Sequence, residues 1–170
     1  IDLSAWGQGD AKSVDHLWRE IMAGETAIEV DPPRRVVNVV RILIRRRDRL
    51  LIEQRQELHS GQRRTRGRPP SEKMRPGESY EQAALRCLEE ELGVRCQETT
   101  LLTKGYRCRE LEAISGSYPG LCTHYTFHIL KAQAPCLPDN DFCTEEQGAG
   151  PGEAVYKHYW VWRQIKPVGI

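Results

Sequence analysis

The chain has no apolar run near the ~18 residues that a membrane-spanning helix needs, and it opens without the basic, apolar and small-residue succession of a secretory signal. A membrane-spanning helix is excluded, and export is not signalled. There is no C-x-x-C pair: Cys87, Cys96, Cys108, Cys122, Cys136 and Cys143 follow no regular spacing, which argues against a zinc site or a disulfide framework. Cysteine usage of this kind points to a reducing, intracellular compartment, cytoplasm or organelle interior. Internal repeats are absent as well. Neither charge is in excess overall, because 25 Lys and Arg against 24 Asp and Glu leave only +1. The sequence starts at Ile1 rather than Met, as a piece of a longer or processed polypeptide would. What remains is 170 residues, 39% hydrophobic and 29% charged, enough for one domain with a sizeable core.

The near-zero net charge hides a polarised chain. From Arg34 to Arg75 there are 14 Lys or Arg against 4 Asp or Glu, a local excess of +10, so the remainder is acidic. Within that stretch, residues 62–68 are expected to form a loop carrying Arg63, Arg64, Arg66 and Arg68. Arginine forks match phosphate oxygens, so such a loop suits the phosphates of a nucleotide or an RNA 5′ end. It also suits a flat patch facing RNA or an acidic protein, or a plain solvated loop. No aromatic residue is interleaved with these arginines, so base stacking is not expected of them.

Periodicity places the elements. Val14, Leu17, Trp18, Ile21 and Met22 form an apolar stripe on a helix from about Ser13 to Ala23, expected to dock on the domain's own sheet. Asp31-Pro32-Pro33 then breaks the chain. Residues 36–46 and 49–54 read as a hairpin turning at Arg47-Asp48, and uneven alternation suits a mixed sheet with helices on both faces. Further strands are expected over 99–109, 121–130 and 153–162, with a long loop over 135–152. In the second of these, Leu121, Thr123, Tyr125, Phe127 and Ile129 share one face. His124 and His128 share the other, roughly 13 Å apart at strand rise, too far for one metal. In the last, Tyr156, His158, Trp160 and Trp162 lie on one face.

The stretch from Glu72 to Val94 is the least ordinary. Ser79 with Gln82 makes a capping box, Gly93 supplies the stop, and Ala84, Leu85, Leu88 and Leu92 form the expected core stripe. The helix ends in Glu89, Glu90 and Glu91, where the macrodipole already places negative charge. Something positive is needed nearby. At about 100° per residue, Glu90 and Glu91 straddle Cys87 and can share a cation, whereas Glu89 points away. The plainer alternative is a charged surface turn in which Arg86 pairs with Glu90.

This arrangement resembles the Nudix box, Gly-x5-Glu-x7-Arg-Glu-U-x-Glu-Glu-x-Gly-U with U aliphatic. Glu78, Arg86, Leu88, Glu90, Glu91, Gly93 and Val94 match; Glu72 stands for the opening glycine and Cys87 for the glutamate after the arginine. The resemblance implies an α/β fold, a Nudix-like α/β/α sandwich around a mixed β-sheet. Residues 1–33 would then be an N-terminal helical extension and 34–170 the Nudix-like domain, its recognisable part ending near Gln164. A helix often follows the last strand in this family; here it is expected to be absent or to lie beyond this stretch.

The resemblance further implies Mg²⁺ or Mn²⁺ as cofactor, a diphosphate-containing small molecule such as a nucleotide as ligand, and attack of water on phosphorus. Glu90, Glu91 and Arg86 become the catalytic candidates. Glu90 and Glu91 would hold the metal, joined by Glu72, with Glu78 and Arg86 bracing the loop and Arg63, Arg64, Arg66 and Arg68 receiving phosphate. Cys87 replaces a carboxylate that serves the family as ligand and in some members as base. A thiol is a poor Mg²⁺ ligand, and losing a general base costs about 10²- to 10⁴-fold in rate. Glu72, Glu145 or Glu146 would have to replace it. The alternative is a catalytically inactive Nudix domain, an RNA- or protein-binding module of a larger assembly.

Overall fold

The computed structural model describes residues 1–147 and 155–165, the side chain of Thr103 excepted. Helix α1 (Val14–Met22) leads into β1 (Ala27–Val30), β2 (Pro33–Arg46), β3 (Arg49–Leu58), β4 (Arg63–Arg68) and β5 (Ser71–Lys73). Helix α2 (Tyr80–Leu92) follows, then β6 (Thr100–Ile114), β7 (Cys122–Gln133), β8 (Phe142–Glu145) and β9 (Val155–Gln164). The sheet runs β6-β7-β2-β3-β9-β8, with β1 and β5 also on β2 and β4 on β3. It is mixed, because β2 and β7 are parallel while the other pairs are antiparallel.

The hairpin turns at Arg47-Asp48 as expected, with Arg47 in the left-handed region (φ 55°). It stays paired only at Arg45↔Leu50 and Arg46↔Arg49 before β3 peels away to pair with β4 and β9. Strand β5 takes the vacated edge of β2, setting Val40 opposite Glu72. The sheet therefore opens, and α2 packs against β5, β2 and β8. Val40, Ile42, Ile44, Leu51, Leu88, Leu130 and Trp160 meet there in one core.

Burial changes sides along β2. Arg35 and Val37 are buried at its start, and Val40, Ile42 and Ile44, of opposite parity, farther on. The same switch occurs in β7, from Thr123 to Leu130 and Ala132. A half-turn of parity means that different layers cover the two faces, α2 on one and the N-terminal segment on the other.

Helix α1 docks differently from the expectation. Val14, Trp18 and Met22 are 50%, 62% and 69% exposed, and the residue it buries is Glu20. The reason lies in the sheet beneath, which presents Arg35 and Lys73 rather than an apolar surface. Glu20 reaches Arg35 Nη2 at 2.7 Å, Lys73 Nζ at 2.7 Å and Lys12 Nζ at 2.8 Å. Burial opposes charge on Glu20, but Lys73 and Lys12 outweigh it and bring its carboxyl down to about 2.

Two further expectations change. Residues 63–68 are strand β4, not a loop, because Arg64, Arg66 and Arg68 alternate inward while Arg63, Thr65 and Gly67 face out. The loop expected over 135–152 contains β8, while 148–152 lie outside the described residues.

Glu20→Gln should destabilise the fold by about 3–5 kcal/mol, since it leaves the buried Arg35 guanidinium without its carboxylate. The wild-type contribution is complete above the unfolded carboxyl's 4.5 and disappears as pH falls toward about 2. Urea denaturation of both proteins at pH 3 and pH 7 checks this: their stability difference should shrink at the lower pH.

Candidate functional site

The helix that carries the site is fixed at both ends. Ser79 Oγ accepts from Gln82 N at 3.2 Å while Gln82 Oε1 accepts from Ser79 N at 2.8 Å. Gly93 ends the helix at φ 66°, where a side chain would be strained. The buried stripe is Ala83, Ala84, Cys87, Leu88, Glu91 and Leu92. It is shifted from the expected Ala84, Leu85, Leu88 and Leu92, with Leu85 only half-buried. Cys87 is fully buried in the main core, and Glu91, 4% exposed, lies on the same stripe. Glu89 is exposed, as its helical position demands.

Arg86 ties the loop before the helix to the helix itself. Its Nε and Nη2 donate to the two Glu78 oxygens at 2.8 and 3.0 Å, its Nη1 to Glu90 Oε2 at 2.9 Å, and its Nη2 also to the Lys73 carbonyl at 2.7 Å. Burial opposes this guanidinium's charge, yet Glu78, Glu72 and Glu90 raise its pKa above the ordinary arginine value. Glu78 Oε2 also accepts from Arg75 N at 2.9 Å, and Arg75 Nη2 donates to Glu90 Oε1 at 3.2 Å. Each Glu90 oxygen thus receives an arginine. From outside the loop, Gly24 (φ +71°) lies so close that an added Cβ would stand 2.2 Å from Pro76 Cγ.

Glu91 has a different environment. Its Oε2 is buried without a hydrogen-bond partner. Burial and the charges of Glu53, Glu72 and Glu146 push its carboxyl well above the usual range, against the lowering effect of His158. Burial, Glu91 and Glu72 also push the Cys87 thiol up, so it is protonated at neutral pH and unsuited to a hard cation.

The cluster that faces Glu91 joins residues far apart in the sequence. His158 on β9 donates from Nδ1 to Glu53 Oε1 at 2.6 Å and from Nε2 to Glu146 Oε2 at 2.8 Å, with the ring 1% exposed. Burial works against the imidazolium, but Glu146 and Glu53 raise its pKa to about 10. Arg66 Nε reaches the second Glu53 oxygen at 3.1 Å. Arg64 donates to Gln56 Oε1 at 2.8 Å, Arg63 pairs with Glu57 at 3.0 Å, and Arg68 Nε is buried without a partner. Glu145, the other late-loop carboxylate, instead accepts from Tyr156 at 3.0 Å.

On either side of Glu146, Thr144 in β8 and Gln147 beyond it close the C-terminus of α2. Thr144 Oγ1 donates to the Glu91 carbonyl at 2.5 Å and Gln147 N to the Glu90 carbonyl at 2.8 Å. These satisfy orphan helix carbonyls.

Among the described residues, no three His, Cys, Asp or Glu side chains converge on one metal position. The carboxylates around Glu91 aim at their own partners. Even so, a buried carboxylate oxygen without a partner, in the field of three other glutamates, fits a hard oxygen-seeking cation.

The NUDIX domain family model matches residues 32–146, most of the chain. The chain belongs to the Nudix family. Its mixed sheet with helices is the pyrophosphohydrolase-type fold of that family. Among solved structures, the Nudix domain is similar to an Ap4A hydrolase from C. elegans at 18% identity, covering 76% of this chain and 80% of that one with a TM-score of 0.42. It is also similar to the dihydroneopterin triphosphate pyrophosphohydrolase of E. coli at 21% identity, covering 76% and 80% with a TM-score of 0.40. A comparison with curated proteins returned no match. Among the described residues of this Nudix domain, no helix is long and apolar enough to cross a membrane.

His158→Leu should destabilise the domain by about 3–5 kcal/mol, because it leaves the buried Glu53 and Glu146 without their shared cation. The wild-type contribution is complete below the unfolded histidine's 6.5 and is lost as pH rises through about 10. Urea denaturation at pH 6 and pH 10 should show the gap between the two proteins narrowing at high pH.

Proposed function

We propose that this Nudix domain binds a diphosphate-containing ligand, of the nucleoside-diphosphate-linked class, beside α2 and its preceding loop, and that its metal-dependent pyrophosphohydrolase activity is weak. The observation that carries this reading is Cys87, a fully buried thiol where the box has a carboxylate. Glu90 and Glu91, with Glu72 on the facing strand, are the residues assigned to hold Mg²⁺ or Mn²⁺, which requires Glu90 to turn from Arg75 and Arg86 and the three carboxylates to converge. When bound there, the cation would neutralise phosphate oxygens and acidify a water.

The chain's own residues supply the rest. Arg86 and Glu78 hold the loop against the helix, so that a ligand meets a preformed surface. A cleft of about 260 Å³ beside that loop is lined by Val36, Asn38, Met74, Arg75, Gly77 and Glu78. Arg64, Arg66 and Arg68 on the inner side of β4, with Arg63 at its outer side, are assigned to phosphate. Glu146 is assigned to take the proton of the attacking water, which requires it to turn from His158. A group already held by a buried imidazolium is a poor base, and this adds to the loss at Cys87.

The internal neutralisation of Glu90, Glu53 and Glu146 equally suits a catalytically silent domain used as an RNA- or protein-binding module. Calorimetry with Mn²⁺ and ADP-ribose, ADP-glucose and diadenosine tetraphosphate separates the two. Under the proposed function, at least one compound binds in the presence of Mn²⁺ and Glu90→Gln/Glu91→Gln abolishes that binding. Turnover of the bound compound should stay about 10²- to 10⁴-fold below that of a Nudix hydrolase with a complete box. No Mn²⁺ and no diphosphate binding by the folded wild type would overturn the reading in favour of the silent module.

A further inference from the structure

Beyond the part under α1, where Glu20 pairs with Arg35 and Lys73, the face of the sheet turned away from α2 carries Arg41, Arg107 and Arg109, which pair with no carboxylate among the described residues. On β2, β7 and β6 the register sets Arg41 opposite Ile129, Ile129 opposite Arg107, Phe127 opposite Arg109, and Tyr125 opposite Leu111. Partners in register project to the same side, so these residues share one surface. The strand residues of that parity on β2, β5, β6 and β7 include no Asp or Glu; Glu72, Glu110 and Glu112 all have the opposite parity.

Arg41 lies with its guanidinium carbon 4.4 Å from the centre of the Phe127 ring, and its Nε is buried without a hydrogen-bond partner. Burial and the charge of Arg109 both push the Arg41 guanidinium down, and no carboxylate opposes them. Arg41 over the Phe127 ring, with Arg109 in register with Phe127 on the neighbouring strand, makes a site of like charge suited to an anion. Beside them Tyr125 and Phe127 stack nearly parallel, at 5.5 Å and 16°. Both rings are half-buried, Arg107 and Arg109 are exposed, and Leu111 is 41% exposed.

We propose that this face binds a single strand of nucleic acid, with Arg41 and Arg109 on its phosphates and Tyr125 and Phe127 beneath its bases. Interleaving of cations with aromatic rings on a sheet favours nucleic acid over an acidic protein segment, which would need the charges alone. Strand β4 lacks this combination: its arginines have no aromatic among them, and Arg63 and Arg66 already pair with carboxylates. The two surfaces are distinct, so this assignment stands apart from the diphosphate reading of the α2 site.

Fluorescence anisotropy with a labelled oligouridylate of about 12 nucleotides tests it across a salt series. Arg41→Gln/Arg109→Gln should weaken binding at least about tenfold and flatten the log–log salt slope by about 1.4, the share of two lost phosphate contacts. Tyr125→Ala should weaken binding about fivefold or more with the slope unchanged, because stacking releases no counterions. Arg109→Gln alone, at an exposed position, gives the same direction without disturbing the buried Arg41, and thermal melts establish that each variant is folded. Arg95→Gln, an exposed arginine away from this face, should leave binding as it is. The proposal is overturned by a wild type that does not bind the oligonucleotide in 50 mM salt. Binding indifferent to Arg41 and Arg109, or weakened equally by Arg95→Gln, overturns it too, as does selective binding of a polyglutamate peptide.

Discussion

A protonated imidazole with 1% of its surface exposed is costly to keep inside a protein, and His158 stays charged because carboxylates meet both of its nitrogens. Glu53 comes from the middle of β3 and Glu146 from the residue after β8, so the ion pairs draw three strands to one point. The same turn brings Thr144 and Gln147 onto the last carbonyls of α2. The position of the helix end, and with it Glu90 and Glu91, therefore depends on a buried charge on the fourth strand after α2 in sequence order. Removing only one member leaves the others uncompensated, and that makes the arrangement fragile at single positions.

The clamp around Arg86 shares no side chain with the one around His158. Glu90 belongs to the first and has arginines on both oxygens, whereas Glu91 lies among the second group's carboxylates with one oxygen unpartnered. Adjacent glutamates on one helix thus face opposite electrostatic conditions. One is neutralised by fixed cations, whereas burial and the charges of Glu53, Glu72 and Glu146 push the other's carboxyl well above the usual range. The demand for positive charge at this helix end is met at Glu90 and left largely unmet at Glu91.

Local chemistry was legible in the sequence; long-range electrostatics was not. The capping box at Ser79, the stop at Gly93, the turn at Arg47-Asp48 and the Arg86–Glu90 pair all depend on residues a few positions apart. The mixed sheet followed from uneven alternation, and the family from the spacing of seven box residues. By contrast, Glu53 and His158 are 105 positions apart, and each reads alone as a polar residue in an apolar strand. A charged residue inside the Leu51-Ile52 run and a histidine on the same face as Trp160 and Trp162 were the available signals. Each says that a partner exists without saying which. Helix α1 failed for a related reason: its apolar stripe suggested an apolar dock, but the sheet offered Arg35 and Lys73, and Glu20 answered them. Strand β4 has the charge density of a loop, but its residues alternate inward and outward, and Arg63 and Arg66 pair with Glu57 and Glu53 on β3.

The thiol at position 87 follows from the same electrostatics. Residues 83, 84, 87, 88, 91 and 92 form the buried stripe, so whatever stands at 87 lies one turn from Glu91 and within the field of Glu72. A carboxylate there would be a further buried negative group beside Glu91, tolerable chiefly when a cation is bound. Cysteine removes that repulsion and packs as a small apolar residue in the core. The His158 clamp acts in the same direction by occupying Glu53 and Glu146 with a protein cation. A Nudix helix that balances its own charges in this way has less to gain from a divalent ion than one whose glutamates are left to share it.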